Sequence, residues 1–131
     1  MTLARFLIDN YYSKYKEAQK YAVTEEMLAT GLDIHKDKVV VIKDKDKILG
    51  AAIFLTLPDY IYEDIEKYDI SNLDVVKFLL EQKGNNIHFI LVAGEGIGNI
   101  KKGIAKVKEL RPKSISWWNP TMTKLHRFNF N

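Results

Sequence analysis

Hydrophobic positions near the start of the chain repeat at helical spacing. They recur at intervals of three and four residues, which predicts an amphipathic helix over residues 3–22 whose aromatic stripe faces the core. A second, shorter helix is expected to follow, with Thr24 as its N-cap and Gly31 at its end. The repeating positions of the first helix are Leu3, Phe6, Leu7, Tyr11, Tyr15, Ala18 and Tyr21.

The next part of the chain changes to strand-like patterns. Residues 38–43 (KVVVIK) and 48–57 (ILGAAIFLTL) are rich in β-branched and other apolar residues, and the polar turn DKDK separates them. This arrangement predicts a β-hairpin whose second strand ends at Pro58. Residues 59–69 are acidic and aromatic without a clear period, and we interpret them as a loop or an irregular helix.

A helix and a strand are predicted next. Ser71 and Asp74 resemble a capping box, so a helix is expected over residues 72–83, closed by Gly84. Residues 86–92 then form a nearly continuous apolar run, which is typical of a strand in the middle of a sheet.

The last elements follow a glycine-rich corner. A helix is expected from about Gly98 to Leu110, stopped by Arg111 and Pro112. Residues 113–118 and 124–130 alternate in polarity and predict two strands around the turn at Asn119 and Pro120. If residues 113–118 form a strand, Trp117 and Trp118 point to opposite faces, and one of them is expected to pack into the core beneath the last helix.

Composition sets the class of protein. The chain has 131 residues, 47% hydrophobic and 28% charged, which suits one domain over residues 1–131 with a single core. The absence of cysteine excludes disulfides, thiolate metal sites and cysteine nucleophiles. No apolar run is long enough to span a membrane, and the N-terminus lacks the pattern of a signal peptide. We therefore expect a cytoplasmic protein without a membrane partner.

The net charge of +3 is the sum over two segments of opposite charge and the rest of the chain. An acidic segment carries Asp59, Glu63, Asp64, Glu66, Asp69 and Asp74 against one lysine. A basic segment over residues 99–113 carries five lysines and Arg111 against Glu109. Each segment is either a binding surface or simply a solvated face.

The corner between the central strand and the last helix carries the strongest functional signal. Gly94, Gly96 and Gly98 alternate there, just before the expected helix start. Such a corner offers unpaired backbone N–H groups and the positive end of a helix dipole, which together suit a phosphate group. The sequence fits neither a P-loop, which needs Gly-Lys-Ser/Thr, nor the dinucleotide fingerprint, which needs a third glycine at residue 99. A tightly packed turn without a ligand is the other interpretation.

The order of elements and the corner resemble the GCN5-related N-acetyltransferases. Gly96 and Gly98 match the two glycines of that family's Q/R-x-x-G-x-G/A loop, whereas Ala93 stands at its first position. The closing segment RPKSISWWNPTMTKLHRFNF is similar to small acetyltransferase-like proteins of phages and prophages. The resemblance covers about residues 38–131. It implies an α/β (α+β) fold with a mixed, mostly antiparallel sheet and helices on both faces.

The resemblance also implies a function and a co-substrate. In the family, the strand before the corner splays from its neighbour and its exposed backbone pairs with the pantetheine arm of acetyl-CoA. The resemblance therefore implies acyl-CoA-dependent acyl transfer to an amine acceptor, either a small molecule or a protein. It assigns Leu91, Val92 and Ala93 to the pantetheine and carbonyl contacts, and the pyrophosphate to Gly94, Glu95, Gly96, Ile97, Gly98 and Asn99.

Catalytic groups are predicted from the chemistry of acyl transfer, which needs a base for the amine and an acid for the leaving thiolate. Glu63 and Asp64 are the candidate bases, in the place where the family often uses a carboxylate. The chain has no tyrosine after Tyr68 for the family's usual acid, and His126 is the candidate substitute. The histidines show no metal-ligand spacing, so no metal site is expected.

Two other function classes stay open. An exposed tryptophan beside Lys101, Lys102, Lys106 and Lys108 would suit a nucleic-acid-binding module, although this class is not favoured. A non-catalytic protein with the same fold, acting as an interaction module of a phage or mobile element, is the second. That interpretation is favoured over an efficient enzyme by Ala93, Glu95 and the missing tyrosine.

Overall fold

A mixed sheet forms the centre of the part of the chain that the computed structural model describes, namely residues 2–13, 23–70, 72–94, 96–119 and 123–130. Its strands lie side by side in chain order. The third and fourth strands are parallel, and the other neighbours are antiparallel, so the predicted mixed, mostly antiparallel α+β fold is confirmed. The strands are β1 (Val39–Asp44), β2 (Lys47–Leu57), β3 (Asn86–Gly94), β4 (Ser114–Trp118) and β5 (Leu125–Asn129).

The predicted hairpin joins β1 to β2. Asp44 pairs with Lys47, which leaves Lys45 and Asp46 as a two-residue turn. Lys45 has φ of 55°, the left-handed conformation that such a turn needs to match the twist of its strands.

The described helices lie before β1, between β2 and β3, and between β3 and β4. The described part of the predicted first helix is α1 followed by a π-helical turn at Ile8–Tyr12, and residues 14–22 lie outside the described residues. The segment interpreted as a loop or an irregular helix contains α3 (Asp59–Tyr62) and a 3-10 turn at Ile65–Lys67. The helices are α1 (Leu3–Leu7), α2 (Glu25–Ile34), α3 (Asp59–Tyr62), α4 (Leu73–Leu80) and α5 (Gly96–Lys108).

The ends of α2 confirm one sequence prediction and correct another. The Thr24 hydroxyl oxygen accepts a hydrogen bond from the Met27 amide at 3.1 Å, so the predicted N-cap is confirmed. The predicted end at Gly31 is wrong, since α2 continues to Ile34. A glycine inside a helix lowers its stability by only about 1 kcal/mol relative to alanine. This is too little to end the helix when the residues on both sides favour it.

The limits of α4 also differ from the prediction. Asn72 caps the helix, because its side-chain oxygen accepts hydrogen bonds from the amides of Asp74 and Val75 at 2.9 and 3.3 Å. The predicted cap, Ser71, lies outside the described residues. The helix ends at Leu80 rather than at residue 83. The Lys38 ammonium group donates to the carbonyl oxygens of Leu80 and Gln82. These carbonyls, at the end of α4 and just after it, have no acceptor role within the helix, so the lysine satisfies them.

Helices cover both faces of the sheet, as predicted. On the first face, which we call the α5 face, Phe54 and Phe89 pack with Val107 of α5, and Trp117 packs against the same cluster. The expectation that one tryptophan lies beneath the last helix is therefore confirmed. On the opposite face, which we call the α4 face, Leu55 packs with Leu79 of α4. Helices α1 and α2 cover the same face around Ala51 and Leu91.

Candidate functional site

Strand β3 has two neighbours but pairs fully with only one of them. Its register with β2 runs from Asn86 to Gly94. Its register with β4 stops at Phe89, which lies opposite Trp117. Trp118, the last residue of β4, pairs with Leu125 of β5 instead. The pairing between the two parallel strands therefore ends at Phe89, whereas β3 continues to Gly94. We call this end of the pairing the point of separation.

A β-bulge marks the point of separation. Ile53 of β2 lies opposite Leu91 and the next residue lies opposite Phe89, so Ile90 is an extra residue of β3. A bulge bends its strand and increases the local twist, so the direction of β3 changes at the residue where its pairing with β4 has ended. Within the described residues, no strand pairs with the β4-facing backbone of residues 90–94. We call this backbone the free edge.

The free edge leads directly to the beginning of α5. Strand β3 ends at Gly94 and α5 begins at Gly96, so Glu95 alone separates them, and it lies outside the described residues. The helix begins two residues before its predicted start at Gly98. Gly96 to Asn99 therefore form the first helical turn, whose backbone N–H groups have no acceptor within the helix and lie at the positive end of its dipole.

The residues predicted to contact pantetheine turn their side chains into the protein. Leu91 and Ala93 are buried among residues of α1 and α2 on the α4 face. Val92 packs against the cluster of the α5 face. Any contact that these three residues make with a ligand at the free edge is therefore made by their backbone amides and carbonyls.

The candidate catalytic residues lie on different faces of the sheet. Glu63 and Asp64 lie on an exposed turn after α3, where the Asp64 carboxylate is 3.3 Å from the Lys67 ammonium. This turn belongs to the α4 face, because Tyr62 packs there with Leu79. His126 lies opposite Trp117 on the α5 face, and the two rings stack with centroids 5.4 Å apart. The structure therefore places His126 one strand from the point of separation but does not bring it together with the carboxylates.

A buried histidine lies next to the point of separation and was not among the predicted site residues. The ring of His88 is fully buried, and its Nδ1 atom lies 2.7 Å from the hydroxyl oxygen of Ser116 on β4. Burial, with a smaller contribution from the nearby charge of Arg127, lowers the pKa of His88 to about 4. At neutral pH the ring is uncharged. Nothing in the sequence signals this pair, since its residues are 28 positions apart.

Two buried polar atoms of this region have no hydrogen-bond partner among the described residues, namely His88 Nε2 and the Tyr62 hydroxyl. Arg127 lies close to both residues. Its guanidinium group is 4.9 Å from the centre of the Tyr62 ring and donates to the Tyr62 carbonyl oxygen at 3.2 Å. His88, Ser116 and Arg127 occupy adjacent register positions on the α4 face, so a polar row crosses three strands beside the point of separation.

The basic segment makes several contacts within the protein. Lys106 donates to the Val41 carbonyl oxygen at 3.1 Å, and Lys113 forms an ion pair with Asp59 at 3.0 Å. The Lys108 ammonium lies 5.7 Å from the centre of the Phe130 ring. Lys101 and Lys102, near the beginning of α5, are exposed. Lys101 and Lys102 therefore place positive charge on the same end of α5 as the glycine corner, and Lys106 and Lys108 extend it along the helix.

The described residues contain neither a candidate metal site nor a candidate membrane-spanning helix. Among the described residues, no group of three or more His, Cys, Asp or Glu side chains is arranged to hold a metal ion. The described helices are all too short or too polar to cross a membrane. The sequence matches no protein-family model and no curated protein sequence.

Proposed function

We propose that the protein transfers an acyl group from an acyl-CoA thioester, acetyl-CoA being the simplest, to an amine acceptor. The observation that carries this proposal is the free edge of β3, which begins at the point of strand separation and leads into the first turn of α5. An extended backbone edge can pair with the amides of pantetheine, and a helix N-terminus can bind a diphosphate. The two features follow one another along the chain as the parts of CoA do along the cofactor.

The chemistry needs a polarised carbonyl and a fixed attack geometry. In the reaction, the amine nitrogen forms a bond to the thioester carbonyl carbon, the C–S bond breaks, and sulfur leaves as a thiolate that gains a proton. A backbone N–H at the beginning of the free edge would stabilise the negative charge that develops on the carbonyl oxygen. Holding donor and acceptor in one cleft would supply much of the remaining rate enhancement.

Within the same proposal, the position of each candidate residue determines which proton it would transfer. Glu63 and Asp64 would attract and deprotonate a cationic amine on the α4 face, where the Glu63 side chain is exposed. His126 would protonate the thiolate from the α5 face, beside Trp117. Base and acid act on different atoms, nitrogen and sulfur, so the two steps do not require contact between His126 and the carboxylates.

Calorimetric titration with acetyl-CoA tests the proposal, with S-acetyl-pantetheine as a ligand that lacks the diphosphate. We expect acetyl-CoA to bind and S-acetyl-pantetheine to bind more weakly. Gly98→Asp adds a carboxylate in the first turn of α5 and should weaken acetyl-CoA binding about tenfold or more by charge repulsion. Ala105→Asp adds the same charge at an exposed position further along α5 and is the matched control.

Two results would contradict the proposal. One is the absence of heat and of thermal stabilisation with acetyl-CoA at millimolar concentration. The other is an equal loss of affinity in Gly98→Asp and Ala105→Asp, since it would locate the ligand away from the corner. Binding of single-stranded DNA that weakens steeply with salt, without any response to acetyl-CoA, would instead support the nucleic-acid-binding module.

A further inference from the structure

An apolar cavity of about 200 Å³ lies on the α4 face between α2, α4 and the sheet. Leu32 of α2, Val76 of α4 and Ile90 of β3 are among its lining residues. A second cavity of about 90 Å³ shares Val76 and Ile90 and adds Leu91. The two cavities together lead from α2 to the residues of β3 at which the free edge begins.

The lining of the larger cavity determines what class of ligand it would accept. Its only polar side chains among the described residues are those of Tyr12 and His35, and the rest of the lining is aliphatic or methionine. Burying a charged or strongly polar group there without partners would cost several kcal/mol. An alkyl or acyl chain meets no such cost, so the cavity suits a saturated hydrocarbon group.

The rim of the cavity exposes large apolar side chains to solvent. Met27 of α2 is 46% exposed and Leu73 of α4 is 59% exposed, and both belong to the lining. Apolar side chains that remain exposed at the edge of an apolar cavity are typical of a ligand-binding site rather than of a closed core. The cavity therefore opens between α2 and α4.

The size of the cavity sets the length of the chain. A cavity of about 150 Å³ lined by aliphatic and aromatic residues is known to bind benzene. A methylene group is about as large as a water molecule, whose share of the liquid is about 30 Å³, so the larger cavity would hold a chain of about six carbons. An acetyl group would leave most of it empty.

We infer that this cavity binds the acyl chain of the thioester, and that the preferred donor carries a chain of about six carbons rather than an acetyl group. The inference rests on the proposed function. Ile90 lines both cavities and is the bulged residue at which β3 leaves β4, so a chain attached to a thioester at the point of separation is next to the cavity. The cavity determines which acyl group is transferred, while the free edge binds the CoA part.

Calorimetric titration with CoA, acetyl-CoA and hexanoyl-CoA tests the inference. We expect hexanoyl-CoA to bind at least about tenfold more tightly than acetyl-CoA, because its additional methylene groups leave water. Decanoyl-CoA should gain little beyond hexanoyl-CoA, since the cavity is then full. Equal affinity for acetyl-CoA and hexanoyl-CoA would overturn the inference and leave the proposed function intact.

Two variants locate the effect. A Cβ atom added at Gly31, which lines the cavity, meets no atom of another element within 4 Å, so we expect Gly31→Leu to fold and to extend its side chain into the cavity. Val76→Phe fills the cavity from α4. In each variant, hexanoyl-CoA should bind no more tightly than acetyl-CoA, and the affinity for CoA itself should be unchanged. Ala29→Leu adds the same side chain at an exposed position of α2 outside the lining and should preserve the advantage.

A thioester without the nucleotide separates this inference from the proposed function. The probe is the hexanoyl thioester of N-acetylcysteamine. If CoA and its thioesters fail to bind but this probe binds the natural protein and not Gly31→Leu, the CoA proposal fails and the apolar site stands. If the probe binds both proteins equally or neither, the inference is wrong. Hexylamine binding that Gly31→Leu abolishes, with no effect of acyl length, would assign the cavity to the acceptor and also overturn it.

Discussion

The backbone of Gly84 lies directly against the carbonyl group of Leu57. A Cβ atom at Gly84 would lie 2.1 Å from the Leu57 carbonyl carbon and 2.2 Å from its oxygen. These are backbone atoms at the end of β2, where Pro58 follows, so they cannot move as a flexible side chain does. The glycine was expected to close α4, but its role is to let the connection before β3 cross the end of β2.

Replacement of Gly84 by alanine should therefore destabilise the protein by about 3 kcal/mol, as expected for overpacking against a rigid neighbour. Urea denaturation followed by circular dichroism measures the change. Gly31→Ala is the matched control, because a Cβ at Gly31 meets nothing within 4 Å and alanine favours the helix. It should stabilise the protein by about 1 kcal/mol. Equal effects of the two substitutions would show that the contact with Leu57 is relieved at little cost.

Protonation of His88 should make the stability depend on pH. Its pKa is lowered from 6.5 to about 4, so between these values the unfolded chain binds a proton that the folded protein does not. The stabilising contribution of the neutral ring is thus complete above pH 6.5 and is lost as the pH falls toward 4. From pH 7 to pH 5 we expect a loss of about 2 kcal/mol in the free energy of unfolding.

Comparison with His88→Asn isolates this contribution, since other groups also titrate over that range. Asparagine stays neutral, so His88→Asn should lose about 2 kcal/mol less than the natural protein between pH 7 and pH 5. His126→Asn, at a half-buried position on the other face, is the control and should keep the natural dependence. An unchanged dependence in His88→Asn would mean that the ring becomes charged inside the folded protein.

The contributions of His88 and Ser116 to stability should be coupled through their hydrogen bond. Ser116→Ala leaves the buried Nδ1 atom without a partner and should cost about 1–3 kcal/mol. In the double variant His88→Leu/Ser116→Ala both polar groups are gone, so its cost should be smaller than the sum of the two single costs. Denaturant unfolding of the four proteins measures the coupling. Additive costs would show that the 2.7 Å contact contributes no net stability.

The regular elements could be predicted because their signals are local. The alternation in residues 113–118 and the apolar run at 86–92 place β4 and β3 within two residues of their observed limits. The helix between them requires a crossover connection, which accounts for their parallel pairing. Local signals also placed Thr24 at the N-cap of α2.

Features that depend on register could not be predicted. The bulge at Ile90 lies in a run where every neighbour is apolar, so no change of pattern marks the extra residue. The separation of β3 from β4 follows from that bulge and from the short length of β4, and only the resemblance implied it. The placement of Glu63 and His126 on opposite faces likewise depends on how distant strands align. The glycine corner could be predicted as the turn between β3 and α5, because closely spaced glycines are a local signal.

The Asp59 carboxylate links the start of α3 to two other parts of the chain, which gives the last prediction. Its oxygens accept hydrogen bonds from the Asn86 amide at 2.8 Å and from the Lys113 ammonium at 3.0 Å. The pKa of Asp59 lies below its ordinary value of 3.8, mainly through the bond from Asn86 and then through Lys113. The stability that Asp59 contributes is therefore present above its ordinary pKa and lost as the pH falls through the lowered value.

Asn86→Ala should raise the pKa of Asp59, measured by NMR titration of its side-chain carboxyl carbon, and Lys113→Met should raise it less. Asn86→Ala should also destabilise the protein by about 1–3 kcal/mol, because the buried amide additionally donates to the Leu57 carbonyl oxygen at 3.1 Å. Lys67→Met, which removes the partner of Asp64, is the control and should leave Asp59 unchanged. A larger rise in Lys113→Met than in Asn86→Ala would show that charge, and not the buried hydrogen bond, holds the carboxylate at the start of α3.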